Sequence, residues 1–114
     1  MKFINQEIKY YHIHLYYTEK NISYAKELGH KIKELFSIDL GRFHEKSVGP
    51  HPMWSVQITA TRENFYDVMS YAVQNRRDLI FFIHPGSGDD LLDHTDYAIW
   101  VGEKQELDIS IFKS

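Results

Sequence analysis

The clearest pattern in the chain is the run Tyr10-Tyr11-His12-Ile13-His14-Leu15-Tyr16-Tyr17. It is aromatic and β-branched, lacks Gly and Pro, and predicts a strand. Successive side chains of a strand point to opposite faces. Tyr11, Ile13, Leu15 and Tyr17 therefore share an apolar face suited to lie under helices. Tyr10, His12, His14 and Tyr16 share the other, where the two imidazoles stand about 7 Å apart at a rise of about 3.3 Å per residue.

A helical period follows. Ala25, Leu28, Ile32, Leu35 and Phe36 recur at three and four residues and predict a helix ending near Ser37, with Thr18 or Asn21 as its cap. Lys26, Lys31 and Lys33 fall off that stripe and belong in solvent. Gly29 within it costs up to about 1 kcal/mol relative to Ala and permits close packing. A short second strand is expected over Leu40–Glu45, with His44 on the face of Leu40 and Arg42.

Loop 46–52 contains Pro50-His51-Pro52, whose prolines hold His51 in an extended conformation. The third strand, Met53–Ala60, turns Trp54, Val56, Ile58 and Ala60 to the core. Thr61 then serves as cap for a second amphipathic helix through Phe65, Val68, Met69, Ala72 and Val73. This helix closes near Arg76-Arg77, where positive charge complements the helix dipole. Leu79–Ile83 reads as an interior strand, Gly86–Asp90 as a turn-rich loop, Tyr97–Val101 as a fifth strand, and Leu107–Phe112 as a weak final edge strand.

Strand, helix, strand, strand, helix, strand with an added C-terminal strand is the order of a ferredoxin-like α+β sandwich. One domain over residues 1–114 is expected. In that topology the first strand runs between the third and fourth. His84 then comes close to Tyr10 and His12, and the loop bearing His94 hangs over the same end. His51 lies nearer the opposite end, as an outlying member of the cluster unless loop 46–52 folds inward.

Composition narrows the chemistry. The net charge of −3 leaves no basic surface for nucleic acid. No apolar run approaches a membrane span and no signal-peptide core is seen, so a cytoplasmic location is expected. With no cysteine, any metal must be held by His, Asp, Glu or Tyr. That makes the seven histidines, at 12, 14, 30, 44, 51, 84 and 94, the main chemical inventory. His30 lies among helix lysines and is expected in solvent. Residues 12, 14, 51, 84 and 94 sit on strands or on loops flanking them.

The blocks Tyr11–Tyr17, Val48-Gly49-Pro50-His51-Pro52, Ile83-His84-Pro85-Gly86-Ser87-Gly88-Asp89, Asp93-His94 and Ala98–Gly102 together resemble the DOPA 4,5-dioxygenase family in content and order. The resemblance implies an extradiol ring-cleaving enzyme with non-haem iron(II), molecular oxygen as co-substrate, a catechol such as DOPA as substrate, and a ferredoxin-like fold. Zinc is also an expected occupant of a His-rich site in a purified sample, since such sites prefer it to iron(II).

The residues suit that chemistry. His12 or His14 with His84 would supply imidazole ligands, completed by Asp93, Glu45 or a third His. A catechol binding through both oxygens must lose protons, and His51, then His94, is the candidate base. Tyr10, Tyr16 and Trp100 are candidates for stacking on a substrate ring. The competing expectation is a non-catalytic metal- or small-ligand-binding domain. Either way, a sheet face left bare by the helices suggests a homodimer.

Overall fold

The structure is a computed structural model that describes residues 2–113. Five strands, β1 (Tyr10–Tyr17), β2 (Asp39–Leu40), β3 (Trp54–Thr61), β4 (Ile80–Pro85) and β5 (Ile99–Val101), form one antiparallel sheet in the order β2-β3-β1-β4-β5. Helices α1 (Ile22–Leu35) and α2 (Phe65–Gln74) follow β1 and β3, a short α3 (Asp90–Asp93) follows β4, and a 3-10 helix spans Ile109–Phe112. The chain is the expected α+β sandwich with β1 at its centre.

The face assignment made by alternation holds. Ile13, Leu15 and Tyr17 join Val56, Ile58, Phe81 and Ile83 from the sheet and Ala25, Leu28, Ile32, Val68 and Ala72 from the helices in one buried core. The register sets Ile13 against Ile58 and Ile83, and Leu15 against Val56 and Phe81. It therefore also sets His12 against His84 and His14 against Phe82 on the opposite face. A slip of one residue would exchange the two sets. Burial of these branched and aromatic side chains, at about 1.5–3 kcal/mol each, holds the register.

Several boundaries differ from expectation. Neither Thr18 nor Thr61 caps a helix; Asn21 and Asn64 precede α1 and α2, and neither side chain caps its helix. Instead Oδ1 of each accepts a hydrogen bond from the backbone N–H three residues earlier, that of Thr18 or Thr61. Thr61 itself is the last residue of β3. Leu35 and Val73, assigned to apolar stripes, are about half exposed, at 47% and 46%. Arg76 and Arg77 lie beyond the end of α2. Arg76 donates to the Leu79 carbonyl, and Arg77, at φ 54°, places its guanidinium 3.9 Å from the Tyr24 ring centre.

The second strand is two residues long, not six. Pairing continues irregularly as Gly41 N–H donates to the Gln57 carbonyl and His44 N–H to that of Ser55. Phe43 packs against the core, beside Gly29, where a Cβ would come within 2.9 Å of its ring. The glycine in α1 thus makes room for an aromatic ring. The tail is not an edge strand; Ile109–Phe112 is a 3-10 helix whose preceding residue, Asp108, accepts hydrogen bonds from Ser110.

That tail, α3 and loop 46–52 lie over the sheet face that α1 and α2 leave bare. Asp108 N–H donates to the Pro50 carbonyl and ties tail to loop. Beneath this roof Tyr16 and Phe82 are buried, as are His14, His51 and His84. The chain itself thus covers the part of the face whose exposure suggested a homodimer. Among the described residues no helix is long and apolar enough to cross a membrane.

Candidate metal centre

Two adjacent strands deliver three imidazoles to one point. His12 and His14 project from β1, and His84 projects from β4 directly beside His12. One ligand atom from each lies within 4.8 Å of the others. Their ring centroids are 6.0, 5.0 and 5.2 Å apart for the pairs 12–14, 12–84 and 14–84.

The closest approach tests whether a metal fits. Nε2 of His14 and Nε2 of His84 are 3.2 Å apart. Two nitrogens bound at about 2.1 Å to one ion lie roughly 3.0–3.4 Å apart. Nδ1–H of His84 donates to its neighbouring Pro85 carbonyl, since a carbonyl oxygen can only accept. A neutral His84 therefore turns the lone pair of Nε2 towards His14. A backbone acceptor behind a ligating imidazole is the usual means of fixing its tautomer.

The protonation states agree. Burial, with the surrounding imidazoles, lowers His14 well below the ordinary histidine range. Burial is also the chief cause that lowers His84, to about 4, against a smaller opposing effect of the Pro85 carbonyl. His12 is lowered by burial and by His94, with Asp93 opposing. Neutral imidazoles are the form that binds metal. The triad can hold a metal ion.

Among the described residues no carboxylate joins the three imidazoles. Asp93 lines the same cavity but is buried with its oxygens accepting from the Ser87 hydroxyl and backbone N–H. It holds the 86–89 turn in place. Glu45 is exposed in the loop after β2, near Tyr17 on the core side of the sheet. The cluster that could hold a metal therefore consists of His12, His14 and His84.

The cavity over the triad measures about 240 Å³. His51, expected to be an outlier, joins it because loop 46–52 folds inward. Its ring centroid is 4.2 Å from that of His14, and its Nδ1 lies 2.7 Å from the Tyr16 hydroxyl. Burial and the nearby His94, His84 and His44 lower His51 to about 4. Burial raises Tyr16 above its usual range, which keeps its hydroxyl proton available to donate. His94 stands on the other side, 4.1 Å from the His84 ring, with Nδ1–H donating to the Asp90 carbonyl. Its Nε2 is left as an acceptor.

The aromatic candidates separate. Tyr10 borders the cavity, its ring 5.2 Å from His12. Gly86 makes room for it, since a Cβ there would fall 2.0 Å from the Tyr10 ring. Tyr16 is buried behind His51. Trp100 packs on Phe82 at 4.7 Å and lines a neighbouring cavity instead. His30 is exposed at the surface of α1, and His44 lies in the loop after β2.

Four further residues complete the setting. Phe82 lies under His14, His51, His84 and His94, at ring separations of 5.5–5.9 Å. Its place in β4, two residues before His84, was the available signal. Phe112 stacks on His94 at 4.2 Å, and Gln57 and Ile111 also line the cavity. Gln57 is legible in retrospect as the residue on the outward face of β3 opposite His14. Nothing local in the tail marks Phe112.

The sequence matches the Dopa 4,5-dioxygenase family over residues 11–111. It is 35% identical to an uncharacterized 21.2 kDa protein of Botryotinia fuckeliana, across 89% of this chain and 62% of that one. It is 30% identical to the DOPA 4,5-dioxygenase of Amanita muscaria, across 94% of this chain and 51% of that one. The chain thus spans about half to three-fifths of the length of these relatives. The crystal structure of a Nostoc punctiforme protein described as a "putative dioxygenase" superposes with a TM-score of 0.78 at 28% identity, covering 92% of this chain and 90% of that one. The matched span contains the residues of the centre, and the chain belongs to the Dopa 4,5-dioxygenase family.

Proposed function

We propose that this chain is an extradiol ring-cleaving dioxygenase that uses iron(II) and molecular oxygen on a catechol such as DOPA, with His12, His14 and His84 as metal ligands. The observation that carries the reading is the three-imidazole set, with His14 and His84 buried and His12 half-buried, lining a cavity flanked by two further histidines. Bound there, iron(II) would supply Lewis-acid activation of the catechol oxygens and the one-electron chemistry that dioxygen requires.

The protein groups divide the remaining work. A catechol that binds through both oxygens must shed protons, and an acceptor within hydrogen-bond reach speeds that loss. The sequence ranks His51 first for this role. The hydrogen bonds favour His94, whose Nδ1–H is committed to the Asp90 carbonyl and whose Nε2 is free to accept. With the Tyr16 hydroxyl donating to its Nδ1, His51 would carry its proton on Nε2 and serve as donor to developing charge on the substrate. Tyr16 therefore positions His51. Tyr10, on its Gly86 seat, closes one side of the ring pocket. The roof of loop 46–52, α3 and the tail limits water at the centre and so strengthens each of these interactions.

The test is anaerobic loading with iron(II), followed by oxygen uptake and absorbance with a panel of catechols. Ring cleavage consumes oxygen and yields a yellow semialdehyde-type product, so the two signals rise together. Iron-loaded protein that consumes no oxygen with any catechol would remove this reading.

A further inference from the structure

The tail that roofs the histidine cavity is weakly anchored. No residue from 102 to 113 is fully buried, and no regular element spans 103–108. Among the described residues, segment 103–113 makes one hydrogen bond to the rest of the protein, from Asp108 N–H to the Pro50 carbonyl. Its other hydrogen bonds run within the segment, from Gln105 to Glu103, Ser110 to Asp108 and Lys113 to Ser110. Segments held by so few buried contacts open at free energies well below that of global unfolding.

The second tie at the cavity is Phe112. Its ring stacks on His94 at 4.2 Å and 28°, while the His84 ring lies 4.1 Å from His94. Two rings at that separation cannot share one face of an imidazole, so His94 is held between Phe112 and His84. Its Nδ1–H, donated to the Asp90 carbonyl, keeps the imidazole from turning away. Phe112 therefore closes on a fixed surface that itself packs on one of the three clustered imidazoles. Ile111 and Phe112 line the cavity together with Pro50 and His51 of loop 46–52. One stacked ring and one hydrogen bond thus tie the roof down where tail and loop meet.

We propose that residues 103–113 form a strap that controls exchange between the metal centre and solvent, latched by Phe112 on His94. The proposal rests on the three imidazoles holding a metal, and not on ring cleavage. A chelator that reaches His14 and His84, both buried, enters through the cavity that Ile111 and Phe112 line. Release of the ion therefore follows the fraction of time the strap is lifted. Weakening the latch raises that fraction and leaves the ligand set as it was.

Two measurements on the full chain test this, with wild type, Phe112→Ala and Phe112→Trp. The first loads cobalt(II) and follows its release to excess chelator by visible absorbance. Phe112→Ala should release it about two- to tenfold faster, the worth of one stacked aromatic pair, and Phe112→Trp, which keeps a stacking ring, should match wild type. The cobalt spectrum should be the same in all three. The second is amide hydrogen exchange on the metal-free protein. Exchange at Asp108, whose N–H reaches only Pro50, should quicken in Phe112→Ala by a similar factor, with Ile13 in β1 and Ile83 in β4 unchanged. Release and Asp108 exchange that ignore Phe112 would overturn the strap, as would a changed cobalt spectrum or equal acceleration at Ile13 and Ile83. If the wild type takes up no cobalt, the metal centre fails, and with it the strap's control of an ion.

Discussion

The two faces of β1 are built from the same eight residues and do opposite work. On the helix side, Ile13 and Leu15 are fully buried among branched and aromatic neighbours. That face is held by area removed from water, which is non-directional and tolerates conservative exchange. On the roofed side, His14 and its partner His84 are almost as deeply buried, yet they are polar and must be matched atom by atom. They pair with each other and His84 also donates to the Pro85 carbonyl, while His51 pairs with the Tyr16 hydroxyl and His94 with the Asp90 carbonyl. One face accounts for stability and the other gathers imidazoles that could hold a metal, at some cost to stability. Substitutions should therefore separate the two.

The largest effect is expected at the ligands. His84→Ala should abolish both iron binding and turnover, measured as bound metal per chain and oxygen uptake, because it removes one of three imidazoles and the only one from β4. Retention of full iron content by this variant, and by His12→Ala and His14→Ala, would mean the centre lies elsewhere. Next is the proposed proton-transfer group. His94→Ala should spare iron binding and lower turnover by about 10²- to 10⁴-fold. A variant that loses iron in step with activity would make His94 a ligand instead.

The apolar face should respond in the other currency. Leu15→Ala should destabilise the fold by about 2–5 kcal/mol, read from denaturant midpoints, while the folded fraction keeps its iron and its kcat. Loss of metal at temperatures where the variant is fully folded would show that the two faces are coupled.

A pH series on the chelator-treated protein exposes the strain of the polar face. His51 and His84 fall from an ordinary 6.5 to about 4 on folding. The unfolded chain thus takes up protons first as the pH falls. Stability should be level above about pH 6.5, drop between there and about pH 4, and level off once the folded state is protonated too. Each group contributes about 3 kcal/mol to that drop. A denaturant midpoint that stays constant from pH 7 to pH 4 would contradict the burial of neutral imidazoles. The smallest effect belongs to His30→Ala, on the exposed surface of α1, which should leave iron content, turnover and stability unchanged within error.

How much of this was legible in the chain follows from the range of the forces involved. Alternation along β1, β3 and β4 and the three-and-four spacing of α1 and α2 are local, and burial enforces them directly. They determined the layer order, the central position of β1, and the appearance of His12, His14 and His84 on one face. The antiparallel topology then placed His84 beside His12 with no further information.

What the tertiary structure alone decided lies in segments without periodicity. Loop 46–52 folds over the sheet because Tyr16 offers His51 a buried hydrogen-bond partner and Asp108 ties Pro50 to the tail. No local pattern encodes either contact. Phe43 leaves a short strand for the core because Gly29, fourteen positions earlier, leaves it room. The tail becomes a 3-10 roof through Phe112 on His94, and Asp93 serves Ser87 in place of the metal centre. In each case a side chain chose among partners distant in sequence, and that choice is set by packing, which a one-dimensional pattern does not contain.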